Sequence, residues 1–370
     1  MDFTFTGEQQ MLRDSVSGFL TKNYDFDQRN AIVSSDPGWS RDIWNQLAEL
    51  GLLMLPFSEQ QGGLGGSVTE LVSIAEPFGA HLLAEPYISS VLLAGAALGR
   101  ASLGKAAQDS AAAGWLEKII AGEAIGAFAY EEGRGTPDPS QIAMFADEGT
   151  GFTLTGTKNM VLGGGGADIL IVATRMGEGG PLNLFCVDPS SSGVTMAEFA
   201  TIDGRRAANV TFSSAKADLV LDDAGDVITA VLNTALLAIC AESVGAMGAL
   251  LKQTSDYAAT RKQFGVAIGS FQVIAHRLAD MKIAYSKARA TLLYTTALIE
   301  AGQASPKDIA ILKGQTGKLG REIGEAAIQT HGGVGMTDEL AVGHFHKRIL
   351  ANDALFGSCE YHLRKVGALA

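Results

Sequence analysis

Arg261-Lys262-Gln263-Phe264-Gly265-Val266-Ala267-Ile268-Gly269-Ser270-Phe271-Gln272, and further on Gln329-Thr330-His331-Gly332-Gly333-Val334-Gly335-Met336, are the two stretches on which the reading of this chain turns. Each follows a helical run. In the first, a helix ends near Arg261 and Gly265 permits a bend before the next helix begins. An arginine at such an end either meets a diphosphate through its two-pronged guanidinium or is a solvated helix terminus. In the second, glycines directly after a helix let backbone N–H groups approach a ligand closely.

The rest of the carboxyl-terminal part, from Asp226, reads as helix. Ile274, Leu278, Met281, Tyr285, Ala288 and Leu292 recur in steps of four and three, a heptad seam that suits an internal bundle helix or a subunit interface. Residues 126 to 225 change character. Phe152 and Leu154 alternate with threonines, and 169–172, 182–187 and 210–212 form short apolar runs. Their spacing of about ten residues, with no helices between, predicts an antiparallel barrel or sandwich. The first 125 residues read as helix again. Thr6 and Gln9 have capping-box spacing, Leu12, Val16, Phe19 and Leu20 share a face, and Ser40 opens a helix carrying Ile43, Leu47 and Leu50. Helix is also expected over 68–78 and across 88–120. The expected fold is therefore mainly α with a central β domain, divided as 1–125, 126–225 and 226–370.

The chain has 370 residues, enough to bury a core without disulfides or metals. Its net charge of −12 argues against a nucleic-acid footprint. An anionic cofactor would have to be held by local cations. Cys186, Cys240 and Cys359 lie far apart and read as buried thiols in a reducing cytosol. The opening MDFTFTGEQQ lacks the features of a secretory signal, so a cytoplasmic location is expected. Val231–Leu251 is the most apolar stretch, but Asn233, Thr234, Glu242 and Ser243 interrupt it. It reads as a buried helix, and no membrane span is expected. Gly163–Gly166 lacks the spacing of a P-loop or a dinucleotide fold and reads as a hairpin turn. The histidines form no HxxxH pair, so no metal site is expected, and no GxSxG elbow is present.

Taken in order and spacing, the Arg261–Met281 and Gln329–Gly335 segments resemble those of the acyl-CoA dehydrogenases. Gly62-Gly63-Leu64-Gly65 after Leu55-Pro56, the central β block, and Lys158 with Ala167-Asp168 extend the resemblance over essentially the whole chain. The resemblance implies an N-terminal helical domain, a middle β domain and a C-terminal four-helix bundle. It implies FAD, an acyl-CoA thioester substrate and an electron-transferring flavoprotein as electron acceptor. It assigns Arg261, Gln263, Phe264, Ile268, Phe271, Gln272, Gln329, Gly332 and Gly333 to the cofactor. In that family a glutamate removes a proton from the substrate Cα while the flavin accepts hydride from Cβ.

Here the pattern breaks. Aligned on Arg348, the position of that glutamate is Gly357, which has no side chain. An alternative glutamate early in the bundle falls near Ala235. Glu242, further along, is expected to face a neighbouring helix. The flavin-contacting Trp-Ile-Thr of the family reads Met160-Val161-Leu162, and its Thr-Glu-Pro reads Tyr130-Glu131-Glu132. In family dimers one subunit supplies the ring pocket and the base, and its neighbour supplies the Arg-x-x-Phe-Gly and Gln-x-x-Gly-Gly elements. The chain thus resembles the small, base-lacking subunit of heteromeric enzymes such as pimeloyl-CoA dehydrogenase, working with a homologous large subunit. Two other readings stay open: a homomeric flavoenzyme using Asp353 or Glu360, and a non-catalytic scaffold.

Overall fold

The computed structural model describes residues 5–103, 111–133 and 138–369. The Thr6 hydroxyl accepts from Gln9 N at 3.2 Å, and the Gln9 side chain accepts from Thr6 N at 3.0 Å, closing the expected capping box. Helix α1 (Gly7–Asn23) buries Val16 and Leu20. It is followed by α2 (Phe26–Ser34), α3 (Arg41–Glu49), which Ser40 caps, and α4 (Val68–Ala80), which Ser67 and Glu70 cap reciprocally.

The 88–120 stretch, expected to be helical throughout, is divided. Tyr87–Gly95 is a wider π-helical segment, α5 covers Ala96–Ala101, and α6 covers Ala111–Ile120. Residues 104–110 lie outside the described residues. In the π-helical segment the buried Ser90 hydroxyl accepts from Gly126 N at 3.0 Å, so the segment also fastens the first strand.

Among the described residues seven strands follow: β1 (Gly126–Ala129), β2 (Phe145–Glu148), β3 (Phe152–Leu162), β4 (Ile169–Met176), β5 (Leu182–Val187), β6 (Val194–Ala200) and β7 (Arg206–Leu221). The pairings β4–β2–β3–β7–β5–β4 close a ring, with β1 added to β4 and β6 to β7. Leu154, Leu170, Val172, Phe185, Val210 and Phe212 fill it. The strand pattern led us to expect a purely antiparallel ring, and it is not one. Gly126↔Ile169 and Phe145↔Arg175 belong to parallel pairs. Apolar alternation fixes which face of a strand is buried but says nothing of its neighbour's direction.

Gly163–Gly166 is likewise not a hairpin turn. It joins β3 to β4, which do not pair, through a short 3-10 turn. The reason for its glycines is crowding. A Cβ on Gly165 would strike the Glu198 carboxylate, and one on Gly163, at φ 68°, would meet the Ser89 hydroxyl.

The remaining elements are α7 (Gly225–Thr260), the hairpin β8 (Lys262–Gln263) and β9 (Val266–Ala267), α8 (Gln272–Glu300), α9 (Pro306–His331), α10 (Ala341–Ala354) and α11 (Cys359–Ala368). Helices α7 to α10 form the bundle. Gly248 of α7 faces Tyr285 of α8, Met247 of α7 faces Gly320 of α9, and Asn352 of α10 bonds to Ile239 O of α7 at 3.3 Å. The heptad seam serves as an internal face, with Met281, Ala288 and Leu292 buried. Among the described residues α7 alone is long and apolar enough to cross a membrane, and 72% of its most apolar window is buried inside the protein. By contacts the chain forms two compact units, one of Met1–Ala31, Ser67–Leu83 and Leu236–Ala370, the other of Ile32–Gly66 and Ala84–Ala235.

Candidate functional site

Arg261 sits at the end of α7 with its backbone held on both sides. Its N–H donates to Tyr257 O, and its carbonyl accepts from Ile268 N, each at 2.8 Å. Between these bonds the chain reverses through β8 and β9, with Gln263 opposite Val266. Phe264 at φ 53° and Gly265 at φ 84° form the two-residue turn. Two positive φ angles match the twist of a tight hairpin. The phenylalanine is 93% exposed, so an apolar ring in a strained backbone conformation faces water. It rests edge-on against Phe271, ring centroids 6.2 Å apart.

The second segment closes α9. Gly332, at φ 69°, turns the chain into the 3-10 turn Gly332–Met336. The two segments are brought together by a stack. The Tyr257 and His331 rings lie 4.3 Å apart between centroids and 24° from parallel. Arg261, Gln263, Phe264, Gln272, Gln329, Gly332 and Gly333 are exposed, and Ile268 and Phe271 half-buried. Among the described residues the Arg261 and Gln329 side chains make no hydrogen bond or ion pair. An exposed guanidinium with no carboxylate partner, beside exposed glycine backbone, fits an anionic diphosphate.

The region around Gly357 is the opposite. Gly357 is buried between α10 and α11 and offers only backbone. Beneath it Lys313, 2% exposed, donates to Asp353 O at 2.6 Å and to Gly357 O at 2.8 Å. Burial lowers the pKa of this ammonium, while the facing carboxylate and thiols raise it. The Asp353 carboxylate accepts from Cys359 N at 3.0 Å, capping α11, and lies 3.8 Å from Lys313 and 3.5 Å from Arg321. It is a structural carboxylate at a helix junction. His362 Nε2 donates to Phe356 O at 2.8 Å, and burial pulls its pKa down to about 4. Glu360 is 56% exposed with Arg321 at 3.7 Å. Ala235 is buried and carries no acid. Glu242 faces α10 as expected, 3.6 Å from the buried Arg348 and 3.4 Å from Asn352.

On the β domain, Met160 sits at φ 52° in a bulge between Lys158 and Val161. Lys158 is fully buried and donates to Glu132 at 2.5 Å, Ala173 O at 2.6 Å and Tyr130 O at 3.3 Å. Burial pulls its pKa down to about 8 against the opposing pull of Glu132. Glu132 also accepts from Ala143 N at 2.7 Å and Met144 N at 3.1 Å. Met160 therefore offers a thioether where the family has an indole, and Glu132 is committed to its own domain.

All three cysteines are buried, and burial raises the Cys186 and Cys240 thiols to about 12, which leaves them unreactive. No metal cluster occurs among the described residues. The roles of Lys313, Glu132 and the Tyr257–His331 stack are not evident from sequence. The one available signal is Lys313 itself, a charge on the α9 face that carries Ala310, Gly317 and Gly320.

Residues 6–123 match the acyl-CoA dehydrogenase N-terminal domain model, and residues 224–369 match the C-terminal domain model. Acyl-CoA dehydrogenase FadE27 of Mycobacterium tuberculosis is 28% identical over 99% of this chain and 98% of its own length. A chain of the ChsE4–ChsE5 complex from the same organism superposes with a TM-score of 0.89 at 27% identity, covering 100% of this chain and 98% of that one. A chain of a variant of the steroid ACAD Tcur3481–Tcur3483 gives 0.86 at 25% identity, covering 98% of this chain and 97% of that one.

Proposed function

The chain belongs to the acyl-CoA dehydrogenase family, and we propose that it acts as the base-lacking subunit of a heteromeric acyl-CoA dehydrogenase, lending an FAD clamp to a homologous large subunit. One observation carries this reading: among the described residues the exposed Arg261 and Gln329 side chains make no hydrogen bond or ion pair, while Gly357, aligned with the family's glutamate, is buried. The similarity to chains of two-component assemblies supports it.

Arg261 would hold the diphosphate, its planar two-pronged guanidinium suiting phosphate oxygens in a way a lysine ammonium does not. Gln329 would contribute its amide and Gly333 its exposed backbone to the adenosine half, while the Gly332 N–H closes α9 on Ile328 O. FAD, when bound, supplies the hydride acceptor for α,β-dehydrogenation of the acyl-CoA. Gly357 cannot take the Cα proton, so that proton goes to a carboxylate of the large subunit. Exposed Phe264 reaches from the hairpin tip towards the same partner. A bulky acyl group, such as a steroid side chain, is the favoured substrate class, and an electron-transferring flavoprotein the favoured acceptor.

The homomeric alternative requires Asp353 or Glu360 as base. Asp353 is engaged by Lys313, Arg321 and the α11 N-terminus, which disfavours it. The test is Arg261→Ala in the co-expressed complex. Removing a charged, two-pronged contact should weaken FAD binding by about tenfold to a hundredfold. Unchanged flavin content would refute the clamp.

A further inference from the structure

We propose that Tyr257 and His331 act as a positioning clasp that sets the Arg261 hairpin and the Gln329–Gly333 turn at the spacing FAD requires. This rests on the clamp reading above. The argument begins with what else joins the two elements. Among the described residues no hydrogen bond or ion pair links the Lys262–Gln272 segment to the Gln329–Met336 turn. Each belongs to the end of a different helix, and helix ends fray because their last carbonyls lack partners.

The stack bridges that gap. Tyr257 precedes Arg261 by four residues and its carbonyl accepts from Arg261 N at 2.8 Å, so the stack anchors the backbone that carries the guanidinium. His331 is the last residue of α9, two past Gln329 and one before Gly332. Its ring is itself fixed. Nδ1 donates to Ala327 O at 2.9 Å, and a Cβ on Gly335 would come within 2.9 Å of the His331 Cβ. His331 is 7% exposed, so the clasp lies beneath the exposed clamp residues. Its effect is to pre-pay the ordering of two otherwise independent ends, which raises affinity without adding a contact.

The test measures FAD affinity of the co-expressed complex by equilibrium release, for His331→Ala, His331→Phe, Arg261→Ala and the double variant Arg261→Ala/His331→Ala. Loss of the ring should weaken FAD about tenfold, and His331→Phe, which keeps a stacking ring, should stay within about twofold of the parent. Because the clasp works through Arg261, His331→Ala should add little in the Arg261→Ala background. Additive losses, or a His331→Phe variant as weak as His331→Ala, overturn the clasp. Should Arg261→Ala bind FAD normally, the clamp reading fails instead. Loss with Arg261→Ala but none with His331→Ala leaves the clamp standing and removes only the clasp. Thermal melts of each complex separate these effects from unfolding.

Discussion

The end of α7 and the α10–α11 junction lie in the same compact unit, yet they treat charge in opposite ways. At the first, the exposed Arg261 side chain makes no hydrogen bond or ion pair among the described residues, and an exposed phenylalanine is held in a strained turn nearby. At the second, Lys313 and Asp353 are buried and hydrogen-bonded within the protein, and Gly357 stands between the helices. A surface left unsatisfied at a cost is a surface meant for something else. A junction whose buried carboxylate is already engaged by Lys313, Arg321 and Cys359 N offers no free base. One region offers; the other only holds.

Substitutions can break or sharpen that contrast. The largest stability loss is expected at Lys313. Lys313→Met strands two buried carbonyls and takes one cation from the Asp353 carboxylate, and should cost about 3 kcal/mol or more. Arg261→Ala should stay within about 0.5 kcal/mol, as for other exposed sites. Denaturant melts of the two variants check this, and equal losses would erase the distinction.

Asp353→Asn comes next. It removes the charge but keeps a side-chain oxygen for Cys359 N, so about 1–2 kcal/mol of stability should go. Turnover of the intact complex should hold within about threefold. A fall of about a thousandfold, the loss expected of a general base, would reinstate Asp353 as the catalytic acid–base group.

A third test is a pH dependence. His362 is held neutral, its pKa lowered to about 4. The unfolded chain takes up a proton below about 6.5, so stability is full above that pH and falls as pH drops towards 4, by at most about 1.4 kcal/mol per unit for one proton. His362→Gln should flatten this part of the curve in melts between pH 4 and 7. An unchanged slope would assign it to other groups.

The sequence carried the local signals well. Thr6 with Gln9 and Ser40 before Ile43 are contiguous patterns whose physics is complete within one turn, and both caps are present. Arg261 and Gln329 stand out in the sequence because a motif survives in the chain, and the structure joins their two segments through the Tyr257–His331 stack. What failed was information held by neighbours. Four consecutive glycines state that side chains do not fit, but the reason lies on Glu198 and Ser89. Strand alternation hid the parallel pairs of β4. Helix periodicity from 88 to 120 did not reveal the widened turn that Ser90 makes to reach Gly126. Asp353 reads from the sequence as a candidate base, and its burial among Lys313, Arg321 and Cys359 gives it a structural task.

The most direct test of the central claim is visible flavin absorbance of this chain purified alone and after co-expression with a homologous large subunit. The account predicts a colourless chain alone and a yellow complex that bleaches on adding acyl-CoA. A chain that is yellow by itself and bleached by acyl-CoA would contradict it.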